Sequence, residues 1–313
     1  MGVDFADINR DGYDDFFVAD MLEPTHRGRM TQIFQISASE AAAPFVAFKP
    51  QYMRNTLFLN RGDATYAEIG ALAGVDASGW SWCPVFLDVD LDGYEDLLIS
   101  NGNGRDSRNI DWTAKLRAAR IEKKLSPAEI LQSRSIVPPL PQPNFAFRNR
   151  GDLTFENVSK AWGFDLKAVS QAMALADFDN DGDLDVVINN LNGEASLLRN
   201  NASGGRTAVR LKGRAPNTRA IGAKILFRNG AAPLQSQSIL AGGRYLASDD
   251  AIRTFATGSK TNGFIAEIIW PSGKTSSHSN LLANRIYEIE EPADAPIDRK
   301  STRLNSSHTV ISY

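Results

Sequence analysis

The chain has 313 residues, 42% of them hydrophobic and 23% charged, with a formal net charge of −3. This is the composition of an ordinary soluble globular protein, and its slight acidity argues against broad, non-specific nucleic-acid binding. No apolar run reaches the length of a membrane span, and a lone cysteine, Cys83, excludes an internal disulfide framework.

The start, Met1-Gly2-Val3-Asp4-Phe5, lacks the charged leader and apolar stretch of a signal peptide. Next comes Asp7-Ile-Asn-Arg-Asp-Gly-Tyr-Asp-Asp15, a pattern that returns as Asp88-Val-Asp-Leu-Asp-Gly-Tyr-Glu-Asp96 and Asp177-Phe-Asp-Asn-Asp-Gly-Asp-Leu-Asp185. Each copy runs into an apolar segment: Phe16-Phe17-Val18, Leu97-Leu98-Ile99 and Val186-Val187-Ile188. An insertion, about 22–53, separates the first copy from Asn55-Thr-Leu-Phe-Leu-Asn-Arg-Gly-Asp63, an alternating strand closed by a Gly-centred hairpin turn. Thr65-Tyr66-Ala67-Glu68-Ile69 supplies the returning strand. After Trp80-Ser-Trp82, Cys83 falls on a strand, where a buried, small apolar role is expected. A second insertion, about 103–142, carries Ser126-Pro127-Ala128-Glu129, which combines an N-cap serine, a first-turn proline and a capping-box glutamate. The hairpin then recurs as Asn144-Phe-Ala-Phe-Arg-Asn-Arg-Gly-Asp152 with Thr154-Phe155-Glu156-Asn157-Val158, and in short form as Ser196-Leu197-Leu198-Arg199-Asn200.

The register is strict. Asn60 to Asn149 and Asp88 to Asp177 both span 89 residues, and the short form reduces the basic repeat to about 51, enough for a four-stranded propeller blade. Three repeats predict about three blades. Because propellers close with about four to eight blades, further blades are expected upstream. From about Arg206 the acidic loop stops, and Thr207–Lys212, Ala223–Phe227, Phe264–Trp270 and Arg285–Glu290 read as strands of a second all-β unit. The expected division is 1–203, 204–292 and a tail from 293. Within that tail, Asp298 to Tyr313 reads like translated sequencing adapter, which predicts a fragment whose Met1 is internal and whose signal peptide lies upstream.

Oxygen-bearing side chains at loop positions 1, 3, 5 and 9, with glycine at 6 for the sharp turn, form a hard-oxygen cage suited to calcium. Without a cation, four or five carboxylates in one loop repel one another. The expected ligands are Asp7, Asn9, Asp11 and Asp15; Asp88, Asp90, Asp92 and Asp96; and Asp177, Asp179, Asp181 and Asp185. The residue at position 7 (Tyr13, Tyr94 or Asp183) is expected to give its backbone carbonyl. An EF-hand would need a glutamate at position 12 between two helices, but Val18, Ile99 and Ile188 stand there in β-type runs.

These loops resemble the FG-GAP/VCBS repeats of integrin-type propellers. The C-terminal stretch resembles the UnbV/ASPIC domain of the cartilage acidic protein-like family, through Asn217-Thr-Arg-Ala-Ile-Gly-Ala223, Gly242-Gly-Arg-Tyr-Leu-Ala-Ser248 and Trp270-Pro-Ser-Gly-Lys274. Phe255-Ala-Thr-Gly258 departs from the family's Phe-Gly-Leu-Gly and puts the packing of that turn in question. The resemblance implies export, about three calcium ions, and an interaction role toward an extracellular protein or glycan, at the cell surface or in the periplasm. The Arg-Gly-Asp triplets at 61–63 and 150–152 are read as turn-makers, and Asn157-Val-Ser159 and Asn201-Ala-Ser203 as glycosylation acceptors only in a host that uses them. His26 and His278 have no partner motif, so no catalytic residues are assigned. The competing reading is a propeller glycosidase or lyase acting on extracellular polysaccharide, for which nothing selects an acid and a base.

Overall fold

The computed structural model describes residues 2–32, 53–123, 126–133, 135 and 137–293. Most of the first insertion, and the tail from 294 with its adapter-like stretch, lie outside the described residues.

The architecture is almost wholly β. The first sheet has four antiparallel strands in sequence order, β1 (Val3–Ala6), β2 (Asp15–Val18), β3 (Thr56–Asn60) and β4 (Tyr66–Glu68). A short helix α1 (His26–Thr31) follows β2, and α2 (Gly70–Ala73) follows β4. The second sheet repeats the plan with β5 (Ser81–Leu87) and β6 (Asp96–Asn101). Its outer half comes after helices α3 (Ile110–Lys123) and α4 (Pro127–Ser133) and a short strand β7 (Gln142–Pro143). The strands β8 (Phe145–Asn149) and β9 (Phe155–Asn157) complete it. After β10 (Lys167–Ala168), the third sheet has only β11 (Ser170–Ala176), β12 (Asp185–Asn190) and β13 (Ser196–Leu198). Each acidic loop joins the first two strands of its sheet, as a connection between adjacent antiparallel strands must.

Besides the two-stranded β7–β10 pair, two further sheets complete a propeller-like arrangement of five larger sheets. One pairs β17 (Ile252–Ala256), β14 (Arg206–Lys212) and β20 (Arg285–Glu290), with β14 and β20 parallel. The other orders β16 (Leu234–Ser238), β15 (Lys224–Arg228), β18 (Asn262–Ile269) and β19 (Thr275–Leu282). The four C-terminal strands expected from the sequence are all present. The polar edge strands β16 and β19 were not legible: β19 is largely exposed, and in β16 the buried Gln235 is satisfied by hydrogen bonds to the Ala256 backbone.

Cores form between sheets. Ile8 of the first acidic loop, with Phe17 and Leu57 of the first sheet, meets Leu97, Ile99, Phe147 and Phe155 of the second. Cys83 and Leu98 of the second meet Met173 and Val186 of the third, and Ala208 and Ile252 extend that core into the C-terminal sheets. A third core holds Trp270 and Phe227, whose ring stacks on Phe255 at 4.9 Å. The turn at Phe255-Ala-Thr-Gly258 packs through its first three residues, and Gly258 is exposed. Phe255, Ala256 and Thr257 are buried, and the Thr257 N–H donates to Gly205 O at 2.8 Å.

Local expectations hold in detail. The Ser126 hydroxyl and N–H both donate to Glu129 Oε2 (2.7 and 2.9 Å), forming the capping box of α4. Both Arg-Gly-Asp triplets are hairpin turns, with Gly62 and Gly151 left-handed at φ 72° and Asp63 and Asp152 accepting from Thr65 and Thr154. Cys83 is a buried free thiol.

Candidate metal centres

The three acidic loops share one hydrogen-bond scheme. At position 1, one carboxylate oxygen accepts the N–H of position 5 and the other that of position 6. The distances are 3.0 and 2.9 Å for Asp7, 3.0 and 2.9 Å for Asp88, and 3.1 and 3.0 Å for Asp177. At position 5, Asp11, Asp92 and Asp181 accept the N–H of position 7. At position 9, one oxygen accepts the N–H of position 2 and the other an N–H of the third strand. Asp15 thus binds Ile8 and Asn60, Asp96 binds Val89 and Asn149, and Asp185 binds Phe178 and Asn200. The curl requires left-handed backbone at position 6, supplied by Gly12, Gly93 and Gly182 at φ 92–100°.

These bonds pull carboxylates inward. Burial raises the Asp15 carboxyl to about 7. Burial, with Glu95 and Asp92 adding repulsion, lifts Asp88 well above the usual range, and burial does the same for Asp96. Asp183 rises to about 7, chiefly from burial, although Arg206 opposes the shift. Carboxylates this crowded need a proton, an arginine or a metal ion as counter-charge.

The donor set fits a hard cation. Carboxylate oxygens of Asp88, Asp90 and Asp92 all lie within 4.8 Å of one another, as do those of Asp177, Asp179 and Asp185. Asp90 Oδ1 and both Asp183 oxygens are buried without a hydrogen-bond partner among the described residues, which leaves acceptors that a cation would satisfy. The first loop differs. Asn9 replaces an acid at position 3, and its Nδ2 donates to Asp11 Oδ2 at 2.9 Å.

Arginines that the loop pattern did not reveal also bear on the sites. Arg148 reaches Asp90 (2.6 Å) and Asp92 (3.1 Å), and Arg199 reaches Asp179 (2.5 Å). Both stand just before the hairpin asparagine, where the first repeat has Leu59. The available signal was that the residue there turns basic only where position 3 is an aspartate. Arg10 ties the first loop to the second, through Glu95 at 2.7 Å and the carbonyl of Gly93 at 2.5 Å.

The C-terminal sheets sit against all three loops. Lys224 pairs with Asp14 at 2.9 Å, and a Cβ on Gly93 would come within 2.9 Å of the Ala232 nitrogen. Arg206 pairs with Asp181 at 2.8 Å, and the Thr254 hydroxyl donates to the Gly182 carbonyl. Nearby, Arg244 lies buried between Asp4 and Asp249. Asp4 accepts the Phe86 N–H of β5, and Asp249 accepts the Leu175 N–H of β11.

Residues 213–296 match the family described as ASPIC and UnbV, and residues 137–188 match the FG-GAP-like repeat. The chain is similar to cartilage acidic protein 1 of Homo sapiens, 25% identical over 286 residues, covering 77% of this chain and 41% of that protein. The Mus musculus protein of the same name is 25% identical over 273 residues, covering 77% and 42%. That of Xenopus tropicalis is 38% identical over 69 residues, covering 22% of this chain and 11% of that protein. The chain thus spans about two fifths of the length of the first two relatives.

Proposed function

We propose, from the premise that FG-GAP-like blades here precede an ASPIC and UnbV unit, that the chain is an exported, calcium-stabilised, non-catalytic binding module. In this reading the first unit spans 1–203 and the second 204–292. Each loop would hold one ion. Asp7, Asn9, Asp11 and Asp15, then Asp88, Asp90, Asp92 and Asp96, then Asp177, Asp179, Asp181 and Asp185 act as side-chain donors, with the carbonyls of Tyr13, Tyr94 and Asp183. Asn9 would turn its amide oxygen inward to do so. One observation carries the reading: buried acids recur in one hydrogen-bond scheme three times, and their ionised state lacks sufficient counter-charge. The relatives' name refers to cartilage and to no enzyme, which favours an extracellular interaction role over catalysis. The partner is an extracellular protein or glycan, met by the insertion at 103–142, whose helix α3 carries Trp112, Lys115, Arg117 and Arg120.

Scanning calorimetry tests the proposal. At free calcium a hundredfold above Kd, each independent site adds about 2.7 kcal/mol. Chelation therefore lowers the melting temperature, and Asp92→Ala removes about one site's share. A metal-free preparation whose melting ignores added calcium overturns the assignment.

A further inference from the structure

The third sheet lacks a fourth strand among the described residues, and the repeat shows what that strand does elsewhere. In the second sheet β9 pairs with β8, and it sends Phe155 into the core between the first two sheets. Leu153, two residues earlier, packs on the same core. The residues around them are Ile8, Phe17, Ala73, Val75, Leu97 and Phe147. Shifted by one repeat, these become Val89, Leu98, Trp162, Phe164, Val186 and Leu198. All six line a cleft of about 550 Å³ between the second and third sheets.

The cleft lies where a counterpart of β9 would run. A Cβ on Gly74 would meet the Phe155 carbonyl at 3.7 Å, whereas one on the equivalent Gly163 meets nothing within 4 Å. In the second sheet the Ala146 carbonyl accepts from the Val158 N–H at 2.9 Å, and the Ala146 N–H donates to Ser159 Oγ. Leu197 is the equivalent of Ala146, yet no such outward bonds form at it among the described residues, and its side chain is 60% exposed.

We infer that this cleft is a docking site for an extended strand of a partner polypeptide, which adds to β13 as a fourth strand. The partner carries large apolar residues at i and i+2, on one face of the strand. Two features select that occupant: the cleft continues the apolar core between the second and third sheets, and the Leu197 backbone on its rim makes no outward hydrogen bonds among the described residues. The inference does not depend on calcium.

The chain supplies its own probe. A fluorescein-labelled peptide of residues 149–159, the β9 segment, is titrated with the full chain and followed by fluorescence anisotropy. Saturable binding is expected, weakened by about tenfold or more when the peptide carries Phe155→Ala or Leu153→Ala. Leu197→Pro in the protein removes the outward N–H on an edge strand that tolerates proline, and it should weaken binding similarly. If that variant fails to fold, the peptide substitutions decide. No saturation by about 1 mM peptide, or equal binding by the Phe155→Ala peptide, overturns the proposal. So does a dimer in sedimentation velocity that Leu197→Pro dissociates, which would assign the edge to a second copy.

Discussion

Each acidic loop is balanced residue by residue. The second and third carry an aspartate at position 3 and an arginine at the end of the third strand; the first carries Asn9 and Leu59. The carboxylate spacing was legible in the sequence, because positions 1, 3, 5 and 9 converge through local geometry. The balancing arginines were not, since only strand pairing brings residue 148 to residue 90. What remains unbalanced titrates. Asp15 moves from 3.8 to about 7 by burial, and Asp183 moves likewise. Below about pH 4 such a group is neutral folded or unfolded and contributes nothing to the pH dependence. Between there and pH 7 the folded state holds a proton that the unfolded chain has released. Metal-free stability should therefore fall as pH rises across that window and level off above it. Calcium displaces the same protons, so its binding near pH 6.5 should release protons and tighten with rising pH. Melting curves of the metal-free chain and calorimetry in two buffers of different ionisation enthalpy check both statements. A metal-free melting temperature that rises over this range contradicts the argument.

At the scale of elements, β6 and β14, which face two cores, were legible from their apolar runs, and α4 from its capping box; β17, which also faces two, was not. The edge strands β16 and β19 were not, because a Gln- and Ser-rich stretch has the same composition in an edge strand as in a loop. Helix α3 belongs to a third kind, with little apolar pattern and only a half-buried face at Trp112, Leu116, Ala119 and Arg120. Ile121 is 71% exposed on it, and Lys115 lies over the Trp112 ring of the same helix. The base of the insertion is fastened separately. Asn103 and Leu140 bridge, Arg105 donates to the Val137 carbonyl, and Asp106 accepts from Gln32. Replacing residues 110–133 by a short Gly-Ser linker should change unfolding free energy by no more than about 1 kcal/mol, as for exposed surface. Chemical denaturation reads the change. A loss several times larger would show that the helices pack on something essential.

Across the whole molecule, the sheets are held to one another by a few buried charges. Arg244 lies in the Gly-Gly-Arg-Tyr landmark, which the sequence displayed without a role because Asp4 lies at the far end of the chain. The guanidinium joins Asp4, which caps β5, to Asp249, which caps β11. Arg244→Ala leaves two buried carboxylates facing each other without their salt-bridge partner and should destabilise the fold by about 3–5 kcal/mol. A urea midpoint that hardly moves would mean the C-terminal sheets dock without it. The parallel pairing of β14 and β20 has a mechanical consequence. β14 leaves the third blade at its first residue, and β20 delivers the chain outward at its last, with six residue pairs in register between them. A pull on the chain beyond residue 290, resisted by the blades, therefore acts along both strands in opposite directions. It loads every rung of that ladder together in shear and cannot peel them apart one at a time.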